Sequence, residues 1–148
     1  MRRSLPMIFI RVIVALVFIT EGALKFVYPA ELGAGRLAHL GFPSPQVLGP
    51  LVGGVEIVAG AAVLANFFAG DAALFLLAVI LTAIVSTKLP ILLGHSLGPF
   101  PLPKNLSHTG VMGFLHEART DLAMLFSLIA IAIDSGVRGG RKTRWYQR

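Results

Sequence analysis

Four long apolar stretches organise this chain. They cover roughly residues 5–27, 47–69, 71–93 and 113–136. A helix needs about 20 mostly apolar residues, with a range of about 17–25, to cross a bilayer. Within the stretches, small and polar residues recur at spacings of three and four, which is the period of an α-helix and not of a strand. The pattern therefore predicts an all-α integral membrane protein, an antiparallel four-helix bundle.

The segments between these stretches have a different composition. The first two stretches are separated by "YPAELGAGRLAHLGFPSPQ" and the last two by "GHSLGPFPLPKNLSHTG", both of which contain several glycines and prolines. Such residues interrupt helices, so both segments are predicted to be loops. Only "NFFAGD" joins the second stretch to the third, with Gly70-Asp71 as the predicted cap of the third helix. We therefore predict one membrane domain over residues 1–148, with a basic tail at residues 137–148.

The composition excludes an ordinary soluble domain. Hydrophobic residues make up 55% of the chain, the mean hydropathy is +0.80 and only 14% of residues are charged, whereas about a quarter of a soluble domain is charged. The net charge of +6 resides mostly at the two ends. Because basic residues favour the cytoplasmic side of a membrane, both termini are predicted to be cytoplasmic. The predicted location is the bacterial cytoplasmic (inner) membrane.

The basic side chains near the ends are predicted to contact lipid headgroups. Binding of RNA by "RGGRKTRWYQR" is an alternative, but phospholipid phosphates are the simpler partner for so apolar a chain. A second alternative is that Arg2 and Arg3 begin a cleaved signal peptide. The ionised residues Arg11 and Glu21 within the apolar run argue against it. The predicted headgroup residues are Arg2, Arg3, Arg11, Arg141, Lys142 and Arg144.

Several kinds of chemistry find no support in the sequence. There is no cysteine, which excludes disulfides, thiolate redox centres and zinc sites built on sulfur. His116 and Glu117 do not complete a set of metal ligands, and no glycine-rich phosphate loop or nucleophile elbow occurs. Motifs alone therefore predict no metal, no cofactor and no catalytic residue.

Small residues indicate which helix faces are predicted to pack. In the second stretch Gly49, Gly53, Glu56 and Gly60 fall on one stripe, and Gly22 lies on the packing face of the first. Membrane helices associate through small residues because these allow close approach of the backbones. Glu56 is therefore predicted to face other helices and not lipid. In the fourth stretch the predicted packing stripe consists of His116, Thr120, Ala123, Ser127, Ala130 and Asp134.

Glu56 is the acid that most needs an explanation. At a rise of about 1.5 Å per residue it lies roughly 14 Å from the outer end of its helix, near mid-membrane. An unpaired charge at that depth costs at least about 2.5–3.5 kcal/mol. Glu56 is therefore predicted to be protonated, paired or reached by water, with Lys25, Lys88 and Arg119 as candidate partners. A purely structural role, in which a buried pair sets the helix register, is an equal alternative.

Further ionised residues gather in the same outer half. Glu21 precedes Lys25 by four residues, the favourable order for an ion pair within a helix. Lys88 lies two residues before Pro90, whose missing N–H frees a carbonyl and can shape a pocket. The run "HEARTD" holds more charge than a helix start requires, although acids there also suit the helix dipole. The predicted polar pocket comprises Lys25, Glu56, Lys88, His116, Glu117, Arg119 and Asp121.

The chain resembles the DoxX family of small four-helix bacterial membrane proteins. The resemblance rests on four segments in order: "EGALKFVYP", "LGFPSPQVLGPLVGGVEIVAGAAVL", "TKLPILLGH" and "GFLHEARTDLAML". It implies an association with redox chemistry, since DoxX and DoxD are linked to the membrane part of a thiosulfate:quinone oxidoreductase. The residues to which the resemblance points are Arg11, Gly22, Lys25, Glu56, Gly60, Lys88, Pro90, His116, Glu117, Arg119 and Asp121.

The function predicted from these features is that of a membrane subunit of a redox-associated complex. Its polar pocket would engage a quinone headgroup, a small sulfur-containing solute or a partner subunit. If it takes part in catalysis, Glu56 or Asp121 would move protons while Lys88 or Arg119 holds an anion. The alternatives are a non-catalytic scaffold that packs against a larger membrane complex, and a pathway for protons or small solutes. The expected partners are membrane lipids and either other subunits or further copies of this chain, with no nucleic acid.

Overall fold

The computed structural model describes the backbone of residues 5–143 and the side chains of residues 5–136. Within these residues the chain is helical and contains no β-strand. The helices are α1 (Leu5–Val27), α2 (Ala34–His39), α3 (Pro45–Ala65), α4 (Ala69–Ala83), a π-helical turn (Ile84–Lys88), α5 (Leu89–Leu93) and α6 (Gly110–Thr143).

Three helical segments are long and apolar enough to cross a membrane. They are α1, α3 and the continuous stretch Ala69–Leu93 formed by α4, the π-helical turn and α5, with mean hydropathies of 2.2, 2.0 and 2.3. The described part of α6 is not among them; it carries the charged run "HEARTD" in its first half. The prediction of an all-helical membrane protein is confirmed by these three helices.

The four long helices contact one another in a closed order. Helix α1 packs against α3, α3 against α4, α4 against α6, and α6 against α1, while the short helix α2 lies on α3. The centre of this arrangement is apolar. Its most deeply buried side chains include Val14, Val63, Leu76, Leu128 and Ile131, one or two from each long helix.

Glycines bring α1 and α3 into close contact. A Cβ atom added at Gly22 would lie 2.6 Å from the carbonyl oxygen of Gly53, and one added at Gly60 would lie 3.0 Å from Ile19. Gly49 makes a similar approach to the backbone of Ala34, at the start of α2. All four glycines on the predicted packing faces of these helices are buried. Small residues thus let the two backbones approach to a distance that any larger side chain would prevent.

Three local features differ from the expectations. Helix α2 forms within the segment predicted to be a loop, because only its docking on α3 stabilises six residues that would not remain helical alone. Helix α4 begins at Ala69, with Phe68 at the N-cap in the left-handed region (φ 45°), so Asp71 lies in the first turn and is not the cap. Helix α6 extends beyond the predicted range 113–136 at both ends.

The face that α6 turns inward also differs from the prediction. The predicted small and polar stripe is mostly exposed or half-buried, and the residues actually buried on α6 include Ala118, Met124, Leu128 and Ile131. The reason is the surface of α4 opposite, which buries three alanines and therefore leaves room for large side chains on α6. Helix α4 thus supplies the small residues, and the large side chains of α6 pack into the space that they leave.

The π-helical turn just before Pro90 is the irregular point of the third crossing. Proline has no N–H and its ring clashes with the carbonyl four residues earlier, so a regular α-helix cannot pass through it unchanged. Here the backbone N–H of Leu89 donates to the carbonyl of Ile84, five residues back. The hydroxyl of Thr87 donates to the carbonyl of Ala83 at 2.6 Å, and that of Ser86 to Thr82 at 2.7 Å. Such turns are frequent at functional sites, and Lys88 is the last residue of this one.

Candidate functional site

Ionised side chains from five elements meet near the end of the molecule where α1 ends and α6 begins. Glu21 and Arg36 each interact electrostatically with both Glu56 and Asp121, so these groups share one region. We call the following six residues the polar cluster: Glu21 and Lys25 of α1, Arg36 of α2, Glu56 of α3, Lys88 of the π-helical turn and Asp121 of α6. It contains three acids and three bases.

Two acids of the polar cluster, the buried Glu56 and the half-buried Asp121, lie at equal distances from the starts of their helices. Glu56 lies eleven residues after the start of α3 at Pro45, and Asp121 lies eleven residues after the start of α6 at Gly110. At about 1.5 Å per residue, each is about 16 Å along its helix. Each acid is met by a lysine from an element that runs in the opposite direction. Both lysines were predicted candidates for Glu56, but in the structure Lys25 pairs with Glu56 and Lys88 with Asp121.

The first pair, Lys25 with Glu56, is close, and its acid is buried. The Lys25 Nζ atom donates a hydrogen bond to the Glu56 Oε2 atom at 2.6 Å, and Glu56 is only 4% exposed. Lys25 also donates to the carbonyl of Glu21 at 3.3 Å, and the Glu21 carboxylate is 3.9 Å away. The close contact of Gly22 with Gly53 brings the two helices together at this height. A base from α1 therefore compensates the charge of the mid-membrane acid.

The second pair, Lys88 with Asp121, is looser. The closest atoms, Lys88 Nζ and Asp121 Oδ2, are 3.6 Å apart, and the side chains are 18% and 20% exposed. This distance lies outside the range of about 2.7–3.2 Å for a hydrogen bond from nitrogen to oxygen. Their contact is therefore a long ion pair, weaker than the direct bond between Lys25 and Glu56. The pair thus keeps hydrogen-bonding capacity that water or a ligand could use.

The remaining residues of the predicted pocket are not brought to Glu56. Arg119, a candidate partner for that acid, donates to the backbone carbonyl of His116 on its own helix. His116, Glu117 and Arg119 are all exposed on the outer part of α6. They border the polar cluster in sequence but are not among its buried members. Within the described residues there is no group of three or more residues suited to hold a metal ion.

Another ion pair lies at the opposite end of the described helices. Arg11 of α1 is only 5% exposed and donates to Asp134 of α6 at 3.1 Å. Arg11 thus has an acidic partner within the protein, and its predicted contact with lipid headgroups stays a prediction. Among the other predicted headgroup residues, Arg2, Arg3 and Arg144 lie outside the described residues, as do the side chains of Arg141 and Lys142.

Sequence reasoning missed two members of these constellations. Arg36 lies in a glycine-rich segment that carries no helical period, and only the docking of α2 on α3 brings it near the acids. Asp134 was assigned to a packing stripe but not to a partner. An acid near the end of an apolar stretch, with one buried base at a similar depth elsewhere, is the signal that could have paired it with Arg11.

The features described so far define a class of protein. A chain with three apolar helices able to cross a bilayer, joined by buried ion pairs, is an integral membrane protein. This chain belongs to the DoxX family, whose sequence profile matches residues 7–89, which confirms the resemblance drawn from its motifs. The matched range includes Lys25, Glu56 and Lys88, and ends before α6.

The chain is also similar to a bacterial membrane protein. The chain is 44% identical over 120 residues to the uncharacterized membrane protein Rv3486 of Mycobacterium tuberculosis (strain ATCC 25618 / H37Rv). The similarity covers 81% of this chain and 69% of the relative. No solved structure matches the chain.

Proposed function

We propose that this protein is a subunit of a redox-associated complex in the bacterial cytoplasmic membrane, and that its polar cluster binds a small polar group from the extracytoplasmic side. That group is a quinone headgroup, a small sulfur-containing solute or a polar surface of a partner subunit. In this view the chain is a component of a quinone-linked oxidoreductase and not a complete enzyme.

The proposal includes a fourth membrane crossing by α6 and cytoplasmic termini. Support comes from the contacts of α6 with both α1 and α4 and from its apolar stretch between Leu122 and Ile133. The chain ends in a basic tail, which the positive-inside rule assigns to the cytoplasm. With four crossings the polar cluster lies on the extracytoplasmic half, and the ion pair of Arg11 with Asp134 lies on the cytoplasmic half.

The observation that carries the proposal is the convergence of charges at mid-membrane depth. Ionised residues inside a membrane are costly, and they mark substrate or proton pathways by default. Two such acids, Glu56 and Asp121, lie at matching depths, and each has its own lysine. One pair would be enough to set the register of two helices. A second, looser pair beside a π-helical turn is more than packing requires.

Lys88 and Asp121 are the members of the polar cluster that fit a ligand best. Because their mutual contact is longer than an ordinary hydrogen bond, a ligand can receive a hydrogen bond from Lys88 and donate one to Asp121 in place of that weak contact. A quinone oxygen accepts hydrogen bonds, and the corresponding hydroxyl donates them. Lys25 and Glu56, by contrast, are already hydrogen-bonded to each other.

Purification in native lipids tests this proposal. Bound quinone is extracted and quantified for the wild type, for Asp121→Asn, and for Glu117→Gln as a matched control. Glu117 is an exposed acid one turn before Asp121 on the same helix. We expect bound quinone in the wild type and in Glu117→Gln and its loss in Asp121→Asn. Absence of quinone from the wild type, or its retention in Asp121→Asn, contradicts the quinone version of the proposal.

The second candidate function is a non-catalytic scaffold that packs against a larger membrane complex. It is favoured by the large apolar surface, since only 28% to 33% of residues in the three apolar helices are buried within the chain. The variant Glu56→Gln separates the two functions. If other subunits co-purify unchanged with this variant and no quinone is bound by the wild type, the scaffold is supported.

A further inference from the structure

Helices α1 and α6 are closely packed in one half of their length. In the half that contains the ion pair of Arg11 with Asp134, Val14 of α1 and Ile131 of α6 are both 0% exposed. The same two faces can be followed into the half that contains the polar cluster. A position seven or eleven residues along an α-helix points in nearly the same direction, because one turn takes 3.6 residues. The burial of such positions therefore shows whether the two faces are still covered.

Both faces lose their burial in the half that contains the polar cluster. On α1, Glu21 lies seven residues after Val14, and its side chain is 51% exposed. On α6, Thr120 lies eleven residues before Ile131 and is also exposed. The faces that are buried around Val14 and Ile131 are therefore uncovered around Glu21 and Thr120. We call the space between these two uncovered faces the α1–α6 crevice.

The side chains along the α1–α6 crevice require water. Besides Glu21 and Thr120 they include Glu117, which is exposed although Met124, seven residues further on, is buried. The Glu21 carboxylate is 3.9 Å from the Lys25 Nζ atom, which is longer than a hydrogen bond. Acyl tails offer no hydrogen bonds, and an ionised side chain among them is costly. Glu21 lies about 9 Å before the end of α1, so water reaches at least that depth.

The α1–α6 crevice leads to the looser ion pair of the polar cluster. Asp121 directly follows Thr120 on α6, and it interacts electrostatically with Glu21 on α1. The side chains of Lys88 and Asp121 are 18% and 20% exposed, whereas that of Glu56 is 5% exposed. Water in the crevice therefore reaches the second pair more readily than the buried acid of the first.

In the opposite direction the α1–α6 crevice is closed. Val14, Leu128 and Ile131 are all 0% exposed and belong to the apolar core. Beyond this layer Arg11 donates to Asp134 at 3.1 Å, which joins α1 to α6 at the other end. An apolar layer with an ion pair behind it separates the crevice from the far side of the membrane.

We propose that the α1–α6 crevice is a proton inlet, which admits water and protons to Asp121 from the extracytoplasmic side and is closed toward the cytoplasm. A proton that binds the Asp121 carboxylate comes from hydronium, which is left as water, and it returns to water by the reverse step. Three charged groups act on Asp121 from the other elements, namely Lys88, Arg36 and Glu21. The direction in which the inlet opens rests on the four crossings of the proposed function.

Labelling of single cysteines tests the crevice, since the chain itself has no cysteine. Glu21→Cys and Thr120→Cys lie in the crevice. Thr20→Cys is the matched control, because Thr20 is the neighbour of Glu21 and is exposed on the same face as Ile13 and Leu16. In intact cells a membrane-impermeant methanethiosulfonate should modify both crevice cysteines at least about tenfold faster than Thr20→Cys. The reason is that the reactive thiolate forms in water and not among acyl tails.

Labelling of Lys104→Cys in the same cells separates the crevice from the orientation of the chain. Equal rates for Glu21→Cys and Thr20→Cys, with Lys104→Cys labelled from outside, overturn the crevice and leave the proposed orientation standing. Labelling of Lys104→Cys and both crevice cysteines only after permeabilisation overturns the extracytoplasmic direction and the proposed orientation together.

Proton access is measured at Asp121 itself, in right-side-out membrane vesicles that contain Asp121→Cys. Iodoacetamide crosses membranes and reacts with the thiolate, so its rate shows which solution takes the proton of the thiol. Raising the outer pH by one unit should raise the rate by up to about tenfold, and raising the inner pH should leave it unchanged. Thr120→Cys should respond in the same way, whereas Thr143→Cys should follow the inner pH. A response of Asp121→Cys to the inner pH, or to neither, overturns the proposal whether or not quinone is bound.

Discussion

At the scale of single residues, the two ion pairs of the polar cluster differ in geometry and therefore in role. Lys25 and Glu56 are hydrogen-bonded at 2.6 Å, and the Glu56 side chain is buried, so removing Lys25 leaves the carboxylate of Glu56 without its base. Lys88 and Asp121 are 3.6 Å apart and each is about a fifth exposed. The first pair is a structural lock between α1 and α3. The second has the looser geometry that exchange with a ligand or with water requires.

The lock can be tested by a double-mutant cycle of Lys25→Met and Glu56→Gln. Removing one partner of a buried pair costs about 3–5 kcal/mol, so Lys25→Met, which leaves the buried Glu56 without its base, should lower the free energy of unfolding in detergent by about that amount. Glu56→Gln should cost less, because Glu21 remains 3.9 Å from Lys25. The double variant should lose clearly less than the sum, because no unpaired charge remains. As a control, Glu21→Gln should cost less than about 1 kcal/mol, since Glu21 is exposed. Additive losses across the cycle would contradict a direct pair.

At the scale of helices, packing depends on matching small surfaces with large ones. Where α1 meets α3, glycines on both sides let the backbones touch, and the lysine-glutamate pair sits beside that contact. Where α4 meets α6, alanines on one helix face large side chains on the other. Membranes provide no hydrophobic force between helices, so association rests on such close packing and on polar contacts.

The contact of α1 with α3 predicts opposite outcomes for two identical substitutions. In Gly22→Ala the new methyl group would lie 2.6 Å from a backbone oxygen and 2.8 Å from Ile57, so the helices must separate. We expect a loss of about 1–3 kcal/mol of unfolding free energy in detergent. In Gly54→Ala the methyl group meets nothing, so stability should be unchanged or rise by up to about 1 kcal/mol. Equal stabilities of the two variants would contradict the described helix contact.

At the scale of the whole molecule, the ion pairs between helices lie at two positions along the bundle. The polar cluster occupies one end of the helices and the pair of Arg11 with Asp134 the other, with the apolar core between them. Helix α1 is thus joined to α3 near one end and to α6 near the other. If α6 crosses the membrane as proposed, these two positions lie in opposite halves of the bilayer.

Labelling of single cysteines tests that orientation. In intact cells a membrane-impermeant maleimide should label Lys104→Cys, in the exposed segment between α5 and α6. It should label Asn66→Cys, between α3 and α4, and Thr143→Cys, at the end of α6, only after the membrane is permeabilised. The reason is that four crossings put both of these positions on the cytoplasmic side. Labelling of Thr143→Cys in intact cells would mean that α6 does not cross.

Much of the secondary structure could be predicted, whereas most pairings between helices could not. Helix α1 occupies the predicted range 5–27, because hydropathy and helical period are properties of consecutive residues. Glu56 lies on the buried face, and Lys25 was one of three candidate partners. The pairs of Lys88 with Asp121 and of Arg11 with Asp134 were not predicted. Each depends on the relative height and rotation of two helices far apart in sequence.

The amino-acid sequence by itself determined that this is a membrane protein, how long its apolar helices are, which family it belongs to, and that Glu56 needs a partner. Those follow from local hydropathy, local periodicity and the cost of a charge in hydrocarbon. Only the tertiary structure decided which base satisfies which acid, which face of α6 is buried and where α2 docks. The physical reason is that a helix repeats its faces about every seven residues, so its sequence allows several rotations and heights. Packing against neighbouring helices selects one of them.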